Sequence, residues 1–166
     1  GSDSLAPAFT KHFVARADQV MADMTVIYPG VPGVLRTVHQ AGIAQGIVSS
    51  KYRYRIETTT RREGIRGYFS TIVGGEDTDR HRPDPAALQM ALRQLECSPA
   101  DAVYVGDHTV DAEAAERLGV PFVGVLTGVT APVSFSRFAS LGIVETLTQL
   151  PRLLGIDEKQ QEGIAT

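Results

Sequence analysis

The sequence predicts an α/β protein built on a three-layer, Rossmann-like parallel sheet with helices on both faces. Two observations indicate this fold. Short apolar runs alternate along the chain with helical patterns, which is typical of parallel strands joined by crossover helices. The runs are also apolar on both faces, as expected for strands that are covered on each side. In such sheets, ligands bind outside the carboxyl ends of the strands.

The elements of the core are predicted from apolar spacing and from the glycines that stop each pattern. Helices are predicted over Val31 to Gln40, Tyr54 to Arg62, Pro85 to Leu95, Ala112 to Leu118 and about Thr146 to Leu154. Strands are predicted over Gly46 to Ser50, Ser70 to Gly75, Ala102 to Val105, from Pro121, and over Gly142 to Val144. Strand and helix therefore alternate from residue 46 onward.

The pattern divides the chain into three segments. Residues 28–156 form the α/β core, and residues 157–166 form a polar tail that we expect to be frayed. In residues 1–27, the stretch from Leu5 to about Thr25 has apolar side chains at mixed helical spacing and is predicted to form one helix or two short ones.

Composition favours a globular protein. Of the 166 residues, 43% are apolar and 21% are charged, which fits one domain, or one domain plus a small appendage. A net charge of −3 without a long basic run argues against nucleic acid as a partner. No apolar run is long enough to span a bilayer. The single cysteine, Cys97, fits a reducing compartment, and we expect a cytoplasmic protein.

Three groups of polar side chains follow the carboxyl ends of predicted strands. They are Ser49, Ser50 and Lys51 after GIV, Arg82 in the loop HRPDP, and Asp107 and Asp111 after VYVG. Hydroxyl and backbone N–H groups at a helix start bind phosphate oxygens, and a cation neutralises their charge. Carboxylates together with water hold Mg²⁺. The three groups together predict a phosphate and magnesium site.

Each group alone also has a structural explanation. An Asp before a helix is most often an N-cap, and this explains Asp111 better when it is taken alone. Ser49 and Ser50 could cap the following helix, while Lys51 and Arg82 could be solvated surface residues. Asp107 favours function most, because a carboxylate at a buried strand end needs a charge partner.

Taken together, the motifs resemble the haloacid dehalogenase superfamily, in its phosphoglycolate-phosphatase-like and pyrophosphatase-like branch. YPGVPGVLRTVHQAG is similar to the segment where a helical cap rejoins the core, GIVSSKYR to the second family motif, RPDP to the third and VYVGDHTVDAEAAERLGV to the fourth. The likeness runs from about Tyr28 to Leu154. It implies an Mg²⁺-dependent phosphatase for a small phosphorylated metabolite, with residues 1–27 as a residual part of the cap.

The resemblance also implies roles for individual residues. Ser49 occupies the position of the phosphate-binding hydroxyl, with Ser50 and Lys51 beside it. Asp107 would be a magnesium ligand, supported by Asp111 directly or through water. Arg82 stands where the family usually has lysine, and it presents a planar fork instead of a compact ammonium.

One family motif is not found in the sequence. The family's nucleophile is the first of two acids in an Asp-x-Asp that ends a strand and is followed by Gly-Thr. The acids before Tyr28 are Asp3, Asp18 and Asp23, and none of them follows an apolar run. No catalytic nucleophile is therefore assigned, and we expect the chain to be inactive alone. A non-catalytic binding or interaction module is the alternative. A chance likeness of another doubly wound domain is disfavoured by RPDP and Ser49.

The resemblance finally implies a place for the strand of the first motif. In the family it lies between the strand that ends at Ser49 and the strand that ends at Asp107. Because a row of unpaired backbone groups would be costly, we expect this gap to be filled or closed. A missing N-terminal segment or a second copy could complete the sheet, or the two flanking strands could pair directly.

Overall fold

The computed structural model describes residues 25–156 and confirms an α/β fold with parallel strands. The helices are α1 (Val31–Gln40), α2 (Arg53–Arg62), α3 (Ala86–Gln94), α4 (Thr109–Leu118) and α5 (Leu150–Leu153). The strands are β1 (Gly46–Val48), β2 (Thr71–Val73), β3 (Tyr104–Gly106), β4 (Phe122–Val125) and β5 (Gly142–Val144). The helices predicted in residues 1–27 and the tail lie outside the described residues, except at 25–27. No helix within residues 25–156 has the length and apolar character needed to cross a bilayer.

Several predicted boundaries were wrong by one to three residues, including those of β1 and β2, which end at Val48 and Val73 instead of Ser50 and Gly75. Strand β3 begins at Tyr104 instead of Ala102, because its ladder starts where the Tyr104 N–H donates to the carbonyl of Pro121 at 2.8 Å. Helix α4 begins at Thr109, so that Asp111 lies inside its first turn. The last predicted helix begins as a 3₁₀ turn over Leu147–Gln149, and α5 follows it.

The strands form two parallel sheets. Strand β1 pairs with β2, while β3, β4 and β5 pair in that order. No ladder joins β1 to β3 in the part of the chain that the structure describes, so direct pairing of these two strands, one of the expected outcomes, is not what the structure contains. Helix α3 packs on β1 and β2, α4 packs on β3 and β4, and the two helices contact each other. The two sheets therefore share one helical layer.

The main hydrophobic core lies beneath α3 and α4. It consists of Leu88, Leu92, Ala112, Ala115, Val120, Phe122 and Phe135, with Val48 and Tyr104 packed at its margin. Every residue of β2 and β4 is buried, whereas no residue of β1 or β3 is. This difference follows from the packing, because β4 is flanked by a strand on each side and β2 is contacted by both α2 and α3.

The hydrogen bonds also show which way the edge strands face. The Ser49 N–H donates to the carbonyl of Val73 at 3.0 Å, on the β2 side. Successive residues of a strand direct their backbone groups to opposite edges, so those of Val48 point away from β2. By the same alternation, the groups of Val105 point away from β4, because Tyr104 bonds on that side. Within residues 25–156, each sheet thus has an edge with no further strand paired to it, of the kind that accepts another strand.

The loops after β1 and β2 lie in close contact, and this contact gives a testable prediction. The Gly75 N–H donates to the carbonyl of Lys51 at 2.9 Å, and a Cβ at Gly75 would overlap the backbone of Ser50. We expect Gly75→Ala to lower the free energy of unfolding by about 1–3 kcal/mol, because backbone cannot rotate out of the way. Urea unfolding measures this loss.

Gly33→Ala is the matched control, since a Cβ at this position in α1 would meet nothing within 4 Å. It should be neutral or stabilise the protein by up to about 1 kcal/mol. Equal effects of the two variants would contradict the close contact between the loops.

Candidate functional site

The carboxyl end of β1 carries the first group of predicted site residues. The Ser49 side chain is half-buried and its Oγ accepts a hydrogen bond from the Lys51 N–H at 3.1 Å, while Ser50 and Lys51 are exposed. The residue that caps α2 is Tyr52, and it makes no side-chain capping bond. The interpretation of Ser49 and Ser50 as helix caps is therefore wrong, and both hydroxyls belong to the loop at the strand end.

The first N–H of α2 is bonded by a distant side chain that the sequence did not single out, although Tyr52 holds the N-cap position. The Arg53 N–H donates to both carboxylate oxygens of Glu76, at 2.9 and 3.1 Å. A carboxylate at this position compensates the partial positive charge of the helix terminus. The first N–H of the helix is thus already bonded, and phosphate binding at this end depends on the residues before it. The only sequence signal was an acidic pair directly after Gly74-Gly75.

Asp77 completes this contact between the two loops. It accepts a hydrogen bond from the Gly74 N–H at 2.7 Å and forms an ion pair with the Arg53 guanidinium. The hydrogen bond from Arg53 lowers the pKa of Asp77. Asp77 and Asp79 have the spacing of an Asp-x-Asp pair, but the Asp77 carboxylate is held by the chain's own groups, so its contacts are structural.

The carboxyl end of β3 carries the second group of predicted site residues. Among them Asp111 is buried, with only 1% of its surface exposed. Its Oδ1 atom pairs with the Arg82 guanidinium and accepts from the Tyr104 hydroxyl at 3.3 Å. Its Oδ2 atom accepts from the His108 N–H at 3.1 Å. A buried carboxylate requires such partners, because an uncompensated charge in the interior is costly. The site residues Arg82 and Asp111 are therefore in direct contact.

Asp111 is not the N-cap of α4, as one interpretation held. The N-cap is His108, whose ring nitrogen accepts from the Val110 N–H at 3.3 Å, while Asp111 bonds back to the His108 N–H. This reciprocal pair is a capping box. It turns the Asp111 carboxylate back over the end of β3, where an added Cβ at Gly106 would come within 2.7 Å of Asp111 Cγ. The Gly of the Gly-Asp motif is required by this contact.

Arg82 is not a solvated loop residue, since only 26% of its side chain is exposed. Burial alone would lower the pKa of Arg82, but the charge of Asp111 and the phenol oxygen of Tyr104 more than offset it and raise the pKa. Burial raises the pKa of Tyr104, and the charge of Asp111 raises it further. The Asp111 carboxylate thus contacts both a guanidinium and a neutral phenol.

Asp107 differs from Asp111 in its surroundings. It is exposed at the carboxyl end of β3, and within residues 25–156 it has no hydrogen bond or ion-pair partner. The loop after β4 lies against it, since a Cβ at Gly128 would overlap the Asp107 carboxylate. The Tyr28 hydroxyl donates to the carbonyl of Thr127 at 3.1 Å and ties the segment before α1 to this loop. Asp107 can therefore offer both of its oxygens to a cation.

The structure joins some of the predicted site residues and leaves others apart. Arg82, Asp107 and Asp111 lie around the carboxyl end of β3, whereas Ser49, Ser50 and Lys51 lie at the end of β1. No hydrogen bond or ion pair links the two groups in residues 25–156. The described residues also contain no cluster of three or more His, Cys, Asp or Glu side chains suited to a metal ion. Asp107 would thus contribute to a metal site that needs further ligands.

Comparison with known proteins identifies a family. The family model of haloacid dehalogenase-like hydrolases matches residues 2–125. The phosphoglycolate phosphatase of Salmonella typhimurium is 27% identical over 146 residues, which cover 88% of this chain and 58% of that protein. The pyrophosphatase PpaX of Bacillus velezensis is 27% identical over 139 residues, covering 84% of this chain and 62% of that protein.

Solved structures agree with the sequence matches. A haloacid dehalogenase-like hydrolase from Bacteroides fragilis superposes with a TM-score of 0.82 and 35% identity, over 90% of this chain and 71% of that one. The chain spans between 39% and 62% of the length of the curated relatives that it matches.

The pairing of Arg82 with the buried Asp111 gives a second prediction. Arg82→Gln should lower the free energy of unfolding by about 3–5 kcal/mol, because it leaves the carboxylate buried without a compensating charge. Chemical denaturation measures the loss. Arg117→Gln is the control, because it breaks an exposed Arg117–Glu113 pair, and such pairs contribute about 0–1 kcal/mol.

The double variant Arg82→Gln with Asp111→Asn tests the assignment further. Removing the carboxylate charge should recover part of the loss, because the residues that remain are neutral. Strictly additive losses would show that the two side chains do not interact in the folded protein.

Proposed function

The chain belongs to the haloacid dehalogenase-like hydrolases, and we propose that it supplies the phosphate-binding and cation-binding part of an Mg²⁺-dependent phosphatase for a small phosphorylated metabolite. One observation carries the proposal. At the end of β3, the Arg82 guanidinium is held by the buried carboxylate of Asp111, and the same strand end carries the exposed carboxylate of Asp107. A fixed cation and an exposed anion at one strand end match a ligand that consists of a phosphate and a divalent metal.

The proposed role of each side chain follows from the donor or acceptor atoms that its contacts within the protein do not use. Asp111 engages one edge of the Arg82 guanidinium, whose remaining N–H groups can bind phosphate oxygens. Asp107 would be a magnesium ligand, because Mg²⁺ is commonly held by one or two carboxylates together with water and phosphate. Both oxygens of Asp111 already accept hydrogen bonds, so Asp111 would support the metal through water while it fixes Arg82.

Ser49, Ser50 and Lys51 are the proposed phosphate-binding residues at the end of β1. The Ser49 hydroxyl can still donate its proton, because in the structure it acts as an acceptor from the Lys51 N–H. The exposed Lys51 adds a second cation. Bound Mg²⁺ would reduce the repulsion between the phosphate and an attacking carboxylate.

The attacking carboxylate is not assigned to a residue of this chain. In the phosphoaspartyl mechanism implied by the family, it belongs to a strand that ends in Asp-x-Asp. We propose that such a strand inserts between β1 and β3, either from a preceding segment of a longer protein or from a second copy. The outward-facing backbone groups of Val48 and Val105 support this proposal, since strand addition at an open edge bonds these groups.

A non-catalytic binding module is the second candidate. One observation favours it: the first N–H of α2 is bonded by Glu76 and is not available to a phosphate. The two candidates differ in whether bound phosphate esters are turned over once the strand is present.

The first test is an assay of the pure chain with an aryl phosphate and Mg²⁺. We expect no turnover, because no carboxylate is placed to form the phosphoaspartyl intermediate and positioning alone leaves only a residual rate. Turnover that survives in the Asp107→Asn variant indicates a contaminating phosphatase. Turnover that is lost in that variant would overturn the expectation.

The second test adds the strand as a peptide, with an apolar run that ends in Asp-x-Asp-Gly-Thr. Amide exchange of Val48 and Val105 should slow by about tenfold or more when the peptide binds, because new backbone hydrogen bonds protect these amides. Ser49 and Tyr104 are internal controls, since their N–H groups already donate within the sheets.

A matched peptide with both aspartates changed to asparagine distinguishes binding of the strand from catalysis by its aspartates. It should protect Val48 and Val105 equally but support no turnover. If neither peptide changes the exchange of these two amides, the proposed insertion between β1 and β3 is wrong.

A further inference from the structure

We propose that Tyr104 is a positioning residue of this site, and that its hydroxyl fixes the Arg82–Asp111 pair so that Arg82 can bind phosphate. The inference rests on the proposed function of the site. Tyr104 lies within the fourth motif but is not one of its charged residues, and it was predicted only as part of a buried strand.

The placement of the Tyr104 ring is the first observation. Tyr104 is the first residue of β3, and its ring lies 6.4 Å from the ring of Phe122, at the margin of the main core. The Phe122 ring is itself packed against Phe135 at 5.9 Å. The phenol is therefore carried on a strand and braced by aromatic side chains that are almost fully buried.

The contacts of the hydroxyl are the second observation. The Tyr104 hydroxyl donates to Asp111 Oδ1 at 3.3 Å, the same oxygen that pairs with Arg82. Tyr104 thus bonds the carboxylate oxygen that holds Arg82 in place.

This arrangement matters because Arg82 has a long side chain on a loop. Side chains that bind a ligand work best when their rotamers are held by packing and by further hydrogen bonds. Asp111 holds the guanidinium from α4, and Tyr104 adds support from β3. A tyrosine that merely satisfied its own hydroxyl would affect stability but would not affect the binding of phosphate through Arg82.

Isothermal titration of the whole chain with inorganic phosphate, with and without Mg²⁺, tests the proposal. Tyr104→Phe keeps the ring packing and removes the hydroxyl. We expect its Kd for phosphate to rise by about tenfold, which corresponds to about 1.4 kcal/mol of binding free energy. In the Arg82→Gln background the same change should have little further effect, because the guanidinium that Tyr104 positions is gone.

Tyr68→Phe is the matched control, because Tyr68 contacts His39 near the start of β2 and away from the strand ends of the site. It should leave the Kd unchanged. If Tyr104→Phe leaves the Kd unchanged, or raises it equally with and without Arg82, the positioning role is overturned.

An NMR measurement distinguishes failure of this inference from failure of the proposed function. In the wild-type chain, the Nε–H signal of Arg82 should be resolved and slow to exchange, and Tyr104→Phe should broaden it or speed its exchange. A wild-type chain that binds no phosphate would refute the proposed function, while the Arg82 signal would still decide the role of Tyr104. An Arg82 signal that is the same in both proteins would refute the positioning role.

Discussion

The ion pair between Arg82 and the buried Asp111 is the interaction on which the rest of the site depends. Asp111 reaches its position because a capping box folds its side chain back over β3, and Gly106 leaves room for it. Once the carboxylate is buried there, a cation must accompany it, and this requirement brings the loop after β2 to the end of β3. The exposed Asp107 is left with both oxygens unused. A helix cap, a glycine and an ion pair thus set the charge distribution of the site together.

Much of the fold could be predicted from the sequence, because apolar runs indicate which segments are buried and glycines indicate where helices end. All five helices and five strands of the described residues lie within or overlap predicted segments. Boundaries were less predictable, since the start of β3 depends on the register with β4, which is not local in sequence. The division into two sheets was also not visible in the periodicity, which records whether a strand is buried but not which strand pairs with it.

The site was predictable only as a set of residue types at strand ends. The spacing of Asp107 and Asp111 indicated two carboxylates but not their different surroundings, which depend on His108 and Gly106. Tyr104 was hidden in an apolar run, where a tyrosine is ordinary, and its hydroxyl gains meaning only from the position of Asp111. Glu76 was missed for the same reason, because an acid in a loop has no visible partner until α2 is placed beside it. Contacts between distant segments, and not residue types, distinguish these side chains.

The two-sheet arrangement also has a consequence for how the chain reaches its native state. Strands β1 and β2 are joined through α2, and β3 and β4 through α4, so both pairings connect neighbouring segments of the chain. Loop-closure entropy rises with the length of the connecting segment, so these pairings cost less than pairings between the two sheets would. We therefore expect two early folding units that dock through α3 and α4 in a later step. A strand that inserts between them would join last, and its insertion would be the rate-limiting step of folding.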